Sequence, residues 1–254
     1  MKHSARKTKR KAASPDEIGA EVRAQLAPAI SALGVTSKNS EFLDRIERMA
    51  ATLALWGPKI NLTAHPSDPD EIVFHVFDSI IPVSIAVSSK ILRLNARLDR
   101  ERRFLDIGSG AGFPGLVIAA AINAQVTLVE ARRKRATFLS EAAIEMGLGN
   151  VRVQCARAES LDVRDGFDLV TARAVGNPRG IFELAGRALH PGGVLMLYAS
   201  AEQKFDDIEN AGAAASAGLV DPSVAGYDLR HGRQMMNRVV ATWCRGQRLH
   251  PSQE

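Results

Sequence analysis

The sequence lacks most of the features that define secreted, fibrous or membrane proteins. It contains only two cysteines in 254 residues, Cys155 and Cys244, and they do not have the CxxC spacing of metal or redox sites. Such sparse cysteine usage is typical of a cytoplasmic chain with reduced thiols. The longest apolar run covers residues 116–122, which is far shorter than the roughly 20 residues of a membrane span. No apolar stretch follows the basic N-terminus, so the sequence does not predict a secretory signal.

The net charge of +5 is concentrated at the N-terminus. Residues 1–11 carry six basic side chains and no acidic one, so the remaining residues sum to about −1. A block of like charge repels itself, which predicts a disordered basic tail over residues 1–13. This tail either neutralises nucleic-acid phosphates or stays solvated without a fixed partner. The sequence leaves both interpretations open.

A helical segment is predicted over residues 14–100. Ser14-Pro15-Asp16-Glu17 has the form of a capping box with proline at the first helical position, which indicates a helix start. Gly57-Pro58 is expected to stop the second helix, and the Arg-rich stretch 90–103 is expected to be a connector. The three predicted helices cover residues 15–33, 40–56 and 70–87.

From residue 101 the pattern changes to strands that alternate with helices. The predicted strands cover 104–107, 126–129, 151–155, 167–171, 194–198, 224–230 and 237–244. The helices between them are expected over 115–123, 132–146, 178–189 and 201–217. This alternation predicts an α/β fold with a doubly wound, Rossmann-like and mainly parallel sheet, with an antiparallel strand near the C-terminus. The domain is expected to end at residue 246, followed by a tail over 247–254.

The strongest signal for a binding site is the run DIGSGAGFPG at residues 106–115. Glycines at a strand-to-helix turn, here including Gly108 and Gly110, let the backbone approach a ligand closely. Glu130 lies 22 residues after Gly108, at the end of the second strand. A carboxylate at that point accepts hydrogen bonds from the hydroxyls of a ribose. The turn and the acid together predict a cofactor of the adenosine type.

Two cofactors fit this pattern, a nicotinamide dinucleotide and S-adenosylmethionine. Asp106, directly before the turn, would repel a pyrophosphate but suits a ligand with an ammonium group. Phe113-Pro114 crowds the place where a pyrophosphate-binding helix begins. Both points favour S-adenosylmethionine. The basic run 132–135 leaves open a 2′-phosphate, so an NAD(P)-dependent oxidoreductase remains an alternative.

At these residues the chain resembles a known family. DIGSGAGFPG, with Asn61-Leu62-Thr63 upstream and Arg173-Ala174 downstream, is similar to the bacterial small-subunit rRNA guanine-N7 methyltransferases (the RsmG family). The resemblance extends from about Phe42 to about Val240. It implies methyl transfer from S-adenosylmethionine to N7 of one guanine in the 530 loop of 16S rRNA, within the 30S subunit or an assembly intermediate. Guanine N7 carries a lone pair and no proton, so no catalytic base is assigned.

The resemblance also implies roles for individual residues. Arg173, at the carboxyl end of the fourth strand, is expected to face the methyl group as a positioning residue. The implied cofactor contacts are Gly108, Phe113, Ala158, Glu159 and Arg173. The expected RNA contacts are Asn61, His75 and Asp78, although a loop cap, a satisfied core imidazole and a local acceptor are equally good explanations for these three.

Two positions depart from the family pattern. Phe74 stands where a basic residue usually precedes the motif histidine, and Ala199-Ser200 replaces a Lys-Gly pair. Both changes remove positive charge, for which the basic tail is expected to compensate. None of the six histidines has the spacing of a metal site, so no metal is predicted. A monomer is expected, and a cofactor-binding, RNA-associated protein without catalysis remains an alternative.

Overall fold

A computed structural model describes residues 13–34, 38–92, 101–163, 166–173, 178–203 and 208–246. These exclude residues 1–12 of the predicted basic tail 1–13, the C-terminal tail, Ala174 and most of the predicted connector. The helices are α1 (Pro15–Ile30), α2 (Asn39–Ile60), α3 (Pro69–Ser88), α4 (Gly115–Ala121), α5 (Arg133–Glu145), α6 (Arg179–Ala188) and α7 (Ile208–Ser216). The strands are β1 (Arg103–Ile107), β2 (Gln125–Val129), β3 (Val151–Gln154), β4 (Phe167–Arg173), β5 (Leu189–Ser200), β6 (Leu219–His231) and β7 (Gln234–Arg245).

The strands form one seven-stranded sheet in the order β3-β2-β1-β4-β5-β7-β6. The five strands from β3 to β5 are parallel, and β7 is antiparallel to both of its neighbours. The predicted α/β fold with a mainly parallel, doubly wound sheet is therefore confirmed. Chain order reverses between β1 and β4, and in such sheets ligands bind outside the carboxyl ends of the strands at this reversal.

The sheet is covered on both faces. The N-terminal helices share one cluster of buried side chains with α4, α5 and one face of the sheet. A second cluster joins α6 and α7 to the opposite face. Leu26 of α1 and Leu128 of β2 belong to the same first cluster, and both are fully buried. The helical segment thus packs directly over the sheet and can contribute side chains to a site at the carboxyl ends of the strands.

The start of α1 confirms the capping box. The backbone N–H of Glu17 donates to the Ser14 hydroxyl at 3.2 Å, and the Ser14 N–H donates to the Glu17 carboxylate at 2.6 Å. After a 3₁₀ turn at Ser31–Leu33, Gly34 closes the helix with φ of 63°. A left-handed residue at this point is the common way to end a helix.

Two predicted boundaries were wrong at proline–glycine positions. Gly57-Pro58 does not stop α2, which continues to Ile60 and ends at Asn61 in a left-handed conformation. Gly57 has no Cβ to clash with the ring of Pro58. A Cβ at this position would also clash with Pro66, which packs against α2 here. Pro191-Gly192-Gly193 was expected before a strand but lies inside β5, at a shift of register against β4.

Helix α3 is long and apolar enough to cross a membrane by length and composition alone, and 56% of the qualifying stretch is buried against the rest of the fold. It does not form an unbroken apolar run in the sequence, because Asp70, His75 and Asp78 interrupt its apolar residues. A buried core helix meets the same criteria, so this finding is weak evidence for a membrane span.

Replacing Gly115 by alanine should destabilise the protein by about 1–3 kcal/mol, the usual cost of overpacking. A Cβ at Gly115 would lie 2.6 Å from the Asp106 carboxylate and would also press against Leu128. Gly180→Ala is the matched control, because this exposed helical position has open space around it and gains helix propensity. Urea denaturation of both variants checks this, and equal stability of the two would contradict it.

Candidate active site

A cavity of about 440 Å³ opens at the carboxyl ends of β1 and β4, within the size range of small-molecule sites. Five parts of the chain form its wall: the loop after α2, helix α3, the glycine-rich turn, the end of β4 and the end of β6. They contribute Leu62–Ala64, Glu71 with His75, most of the turn 108–113, Arg173 and His231. The cavity therefore combines residues from both ends of the chain.

The glycine-rich turn forms the floor of this cavity in a conformation that needs glycine. Gly108, Gly110 and Gly112 all have positive φ, at 71°, 54° and 88°. The N–H of Gly108 donates to the carbonyl of Val129 at 2.8 Å, which fastens the turn to β2. A Cβ on Gly108 would meet no atom within 4 Å, so the space above the turn is open to a ligand.

Glu130 supports this turn from the end of β2. One carboxylate oxygen accepts the Gly110 N–H at 3.1 Å, and the other accepts the Arg132 N–H at 2.8 Å. The residue is only 6% exposed. Each carboxylate oxygen has a further lone pair, so the predicted bonds from a ribose remain possible beside those to the backbone.

Asp106 is not placed to contact a ligand. Its carboxylate is 1% exposed, lies against the start of α4 and accepts a hydrogen bond from the Thr171 hydroxyl at 2.7 Å. Burial raises the pKa of Asp106 to about 6, against the lowering effect of the Thr171 hydrogen bond. The interpretation that this carboxylate binds a cofactor ammonium was therefore wrong, and so was that reason for preferring S-adenosylmethionine.

Arg173 is the one guanidinium in the cavity wall, among the residues that the structure describes. Its Nη2 lies 2.8 Å from Nδ1 of His75 and 3.4 Å from the Asp78 carboxylate. Its Nη1 is buried and has no hydrogen-bond partner among the described residues. Burial lowers the pKa of Arg173, and the neighbouring Asp78 opposes this shift. An unsatisfied cationic donor in a cavity wall is suited to an anionic or carbonyl oxygen of a ligand.

Asp78 holds Arg173 in place from behind. It is fully buried, and it accepts bonds from Arg238 at 2.8 and 3.1 Å and from the Tyr227 hydroxyl at 2.8 Å. Asp78 therefore links α3 to β4, β6 and β7. It does not line the cavity, and in this position it cannot touch RNA directly.

His75 should make the fold sensitive to acid. Burial, with Arg173 beside it, lowers the pKa of His75 from 6.5 to about 3. The folded protein holds the neutral ring while the unfolded chain binds a proton below pH 6.5, so the free energy of unfolding falls as the pH drops. As the pH falls from 7 to 5, His75 should lower the free energy of unfolding by up to about 2 kcal/mol.

Urea denaturation of the wild type and of His75→Gln at the two pH values checks this expectation. The glutamine keeps an acceptor for Arg173 and cannot be protonated, so this variant should lose less stability than the wild type. Equal losses in the two proteins would show that His75 does not carry the effect.

Comparison with known proteins supplies the deciding observation. The sequence pattern of the family described as rRNA small subunit methyltransferase G matches residues 43–226. The chain belongs to this family. It is 35% identical over 185 residues to ribosomal RNA small subunit methyltransferase G of Stenotrophomonas maltophilia, covering 72% of this chain and 79% of the relative. It is 38% identical over 176 residues to the protein of that name from Streptococcus thermophilus, covering 66% and 70%.

Membership of the methyltransferase G family confirms the resemblance predicted from the sequence. It also confirms the predicted class of enzyme, a methyltransferase that uses S-adenosylmethionine, over the oxidoreductase alternative. Solved structures agree on the fold. A precorrin-6y C5,15-methyltransferase from Geobacter metallireducens is 19% identical, with a TM-score of 0.50 over 65% of this chain and 88% of its own. A phosphoethanolamine N-methyltransferase from Haemonchus contortus, 13% identical, also reaches 0.50, over 78% and 60%.

The structure brings together five of the residues that the sequence singled out in this methyltransferase G family member. Those in the cavity wall are Gly108, Gly110, Phe113, His75 and Arg173. Asn61 lies at the rim, where its carbonyl accepts a bond from Arg135 at 2.7 Å. The other predicted residues lie outside the lining: Glu130 beneath the turn, Asp78 behind Arg173, and Ala158 and Glu159 on a 3₁₀ turn after β3.

Two titratable residues of the cavity wall were not predicted from the sequence. His231 comes from the end of β6, directly after the predicted strand 224–230 and far along the chain from the glycine-rich turn. Glu71 was expected only to begin a helix, but it is 4% exposed and accepts the His65 N–H at 3.1 Å. Its i, i+4 spacing to His75 was a signal that both side chains share one helical face.

Proposed function

We propose that this protein methylates N7 of one guanine in the 530 loop of 16S rRNA, with the RNA presented in the 30S subunit or an assembly intermediate. We further propose that it acts as a cytoplasmic monomer without a metal. The observation that carries the proposal is the cavity itself, which joins the glycine-rich turn to an Arg173 donor that no described residue pairs with. The guanine specificity rests on the family to which the chain belongs.

The residues present fit S-adenosylmethionine. Within the described part of the chain, the buried Nη1 of Arg173 lacks a partner, and the open space above Gly108 gives room for a ligand. Arg173 would hold the carboxylate end of the cofactor, and Glu130 would hold its ribose. Phe113, 7% exposed and stacked 5.0 Å from the His75 ring, would keep water away from the reacting groups. When bound, the cofactor supplies an electrophilic methyl group.

The protein's contribution to this reaction is mainly positioning. Guanine N7 needs no proton removed, so catalysis comes from holding two groups in line within a dry site. The cavity has the rigid supports that positioning requires, because Asp78 fixes Arg173 and Glu130 fixes the turn. Methyl transfer to N7 does not require a side-chain nucleophile activated by a general base, and no such arrangement occurs among the described wall residues.

Incubation of the protein with labelled S-adenosylmethionine and 30S subunits from a strain without this enzyme tests the proposal. A single N7-methylguanine in the 530 loop is the expected product. Methylation at another nucleotide would overturn the proposed substrate. Cofactor binding without any methylation would favour the alternative of an RNA-associated protein without catalysis.

Replacing Glu130 by alanine should weaken S-adenosylhomocysteine binding by about 10–100-fold. The change removes the acceptor for the Gly110 and Arg132 N–H groups, and hydrogen bonds to a charged group contribute about 1.5–3 kcal/mol. Isothermal titration calorimetry measures the effect, with Glu141→Gln on the exposed face of α5 as the control. Unchanged affinity in Glu130→Ala would exclude a role of this carboxylate in the cofactor site.

A further inference from the structure

Four aromatic rings form a continuous row along the cavity wall. The ring centroids of His231 and Phe74 are 4.7 Å apart, those of Phe74 and His75 are 5.4 Å apart, and those of His75 and Phe113 are 5.0 Å apart. All except Phe74 line the cavity. A wall of aromatic rings beside a reaction site is suited to a planar base, because bases stack on Phe and His side chains.

Phe74 supports this row from inside the protein. It is 7% exposed, and the His231 ring packs over it with 38° between the planes. In the sequence, Phe74 counted as the loss of a positive charge from an RNA contact. Its placement shows a different role, in which the phenyl ring gives His231 a surface to pack on.

His231 is carried to the cavity by the β6–β7 hairpin. The two strands are joined by Gly232 and Arg233, and Gly232 has φ of 58°, as the first central residue of a type II′ turn requires. Tyr227 lies four positions before His231 on the same face of β6, and its hydroxyl donates a hydrogen bond to Asp78. The hairpin is thereby fastened to α3, which fixes the position of its end.

The hairpin end also carries two exposed cations. Arg230 and Arg233 are exposed, and neither forms an ion pair with another described residue. The family pattern ends at residue 226, so the hairpin end lies outside the part of the chain that it matches. Arginine side chains that lack protein partners are suited to RNA phosphates.

We infer that the end of the β6–β7 hairpin is the part of this enzyme that binds RNA. His231 stacks on the target guanine at the cavity mouth, and Arg230 and Arg233 bind phosphates of the single-stranded segment around it. This inference rests on the proposed function, because it takes a guanine in an rRNA loop as the ligand. It also explains how the enzyme tolerates Phe74 in place of a basic residue.

The test compares hairpin variants in their binding to 30S subunits in the presence of S-adenosylhomocysteine. His231→Ala should raise the Kd for the subunit about 10-fold, the effect of losing one base-stacking contact, and His231→Phe should restore it to within about threefold. The far-ultraviolet circular dichroism spectra of both variants should match that of the wild type, which separates loss of RNA contact from misfolding.

The double variant Arg230→Gln, Arg233→Gln tests the phosphate contacts. The slope of log Kd against log salt concentration should fall by roughly 0.7 for each lost contact with single-stranded RNA. The matched control is Arg152→Gln with Arg187→Gln, an equal charge change at exposed positions on β3 and α6, away from the hairpin. It should leave the slope unchanged.

The two proposals can fail separately in this experiment. If His231→Ala and the double arginine variant bind subunits like the wild type, the inference about the hairpin is wrong, whatever the methylation assay shows. If the variants weaken binding while the wild type methylates no guanine in the 530 loop, the hairpin inference stands and the proposed reaction fails. Absence of wild-type binding to 30S subunits and to their assembly intermediates would overturn both.

Discussion

Asp78→Ala should reduce the free energy of unfolding by about 3–5 kcal/mol, the largest effect on stability that we expect from one substitution. The carboxylate has no exposed surface and faces Arg173 at 3.4 Å and Arg238 at 2.8 Å. Its removal leaves two largely buried guanidinium groups without their counterion and leaves the Tyr227 hydroxyl without its acceptor. Breaking a buried ion pair from one side carries a penalty of this size.

Chemical denaturation at neutral pH measures this loss, with Asp44→Ala as the control. Asp44 forms a half-exposed ion pair with Arg23, and such surface pairs contribute at most about 1 kcal/mol. Asp78→Asn should lie between the two, because it keeps an acceptor oxygen but loses the charge. A loss in Asp78→Ala no greater than that in Asp44→Ala would show that the buried network does not stabilise the fold.

Arg173→Ala should lower kcat/KM for methyl transfer to 30S subunits at least about 100-fold. The substitution removes the only guanidinium that the described part of the chain presents to the cavity, and charge-assisted bonds in a dry site are strong. Asp78 keeps its pair with Arg238 in this variant, so the fold should survive. Arg173→Lys should recover little activity, because an ammonium cannot bond to Asp78, His75 and a ligand with the same geometry.

Steady-state methylation and S-adenosylhomocysteine titration separate the two roles of Arg173. Weaker binding of S-adenosylhomocysteine would assign it to the cofactor, while unchanged binding with a lower kcat would assign it to positioning of the methyl group or guanine. Arg187→Gln, at an exposed position of α6, is the control for a simple change of charge. Full activity in Arg173→Ala would remove this residue from the site.

The sequence was informative where a local pattern determines the structure. A glycine-rich segment after a short apolar strand predicts a turn at the carboxyl end of that strand, and the structure has this turn after β1. Arg173 was predicted from the family resemblance, and its place just beyond the fourth predicted strand agreed with that role. Alternation of strands and helices was sufficient for the mainly parallel sheet, since parallel strands need crossover connections.

The sequence did not predict which face of the sheet the Asp106 side chain takes. Phe104, Leu105, Asp106 and Ile107 are all buried, because a central parallel strand is covered on both faces. Without alternating polar and apolar residues, the sequence does not show which face a side chain takes. Asp106 shares a face with Phe104, towards α4, and this was visible only in three dimensions.

Contributions from distant parts of the chain were equally hidden. His231 lies 58 positions after Arg173 and reaches the cavity only because β6 packs against α3. Likewise, α2 continues through Gly57-Pro58, and Pro66 occupies the space that a side chain on Gly57 would need. Both facts follow from tertiary packing, which no short segment of sequence encodes.

The bonds of Asp78 to Tyr227 and Arg238 have a consequence for how this protein is made. They span about 150 positions of the chain, from 78 to 227 and from 78 to 238. During synthesis, the first five strands emerge before Tyr227 and Arg238, which bind Asp78, and before His231. A nascent chain therefore cannot form the complete cavity until β6 and β7 have left the ribosome.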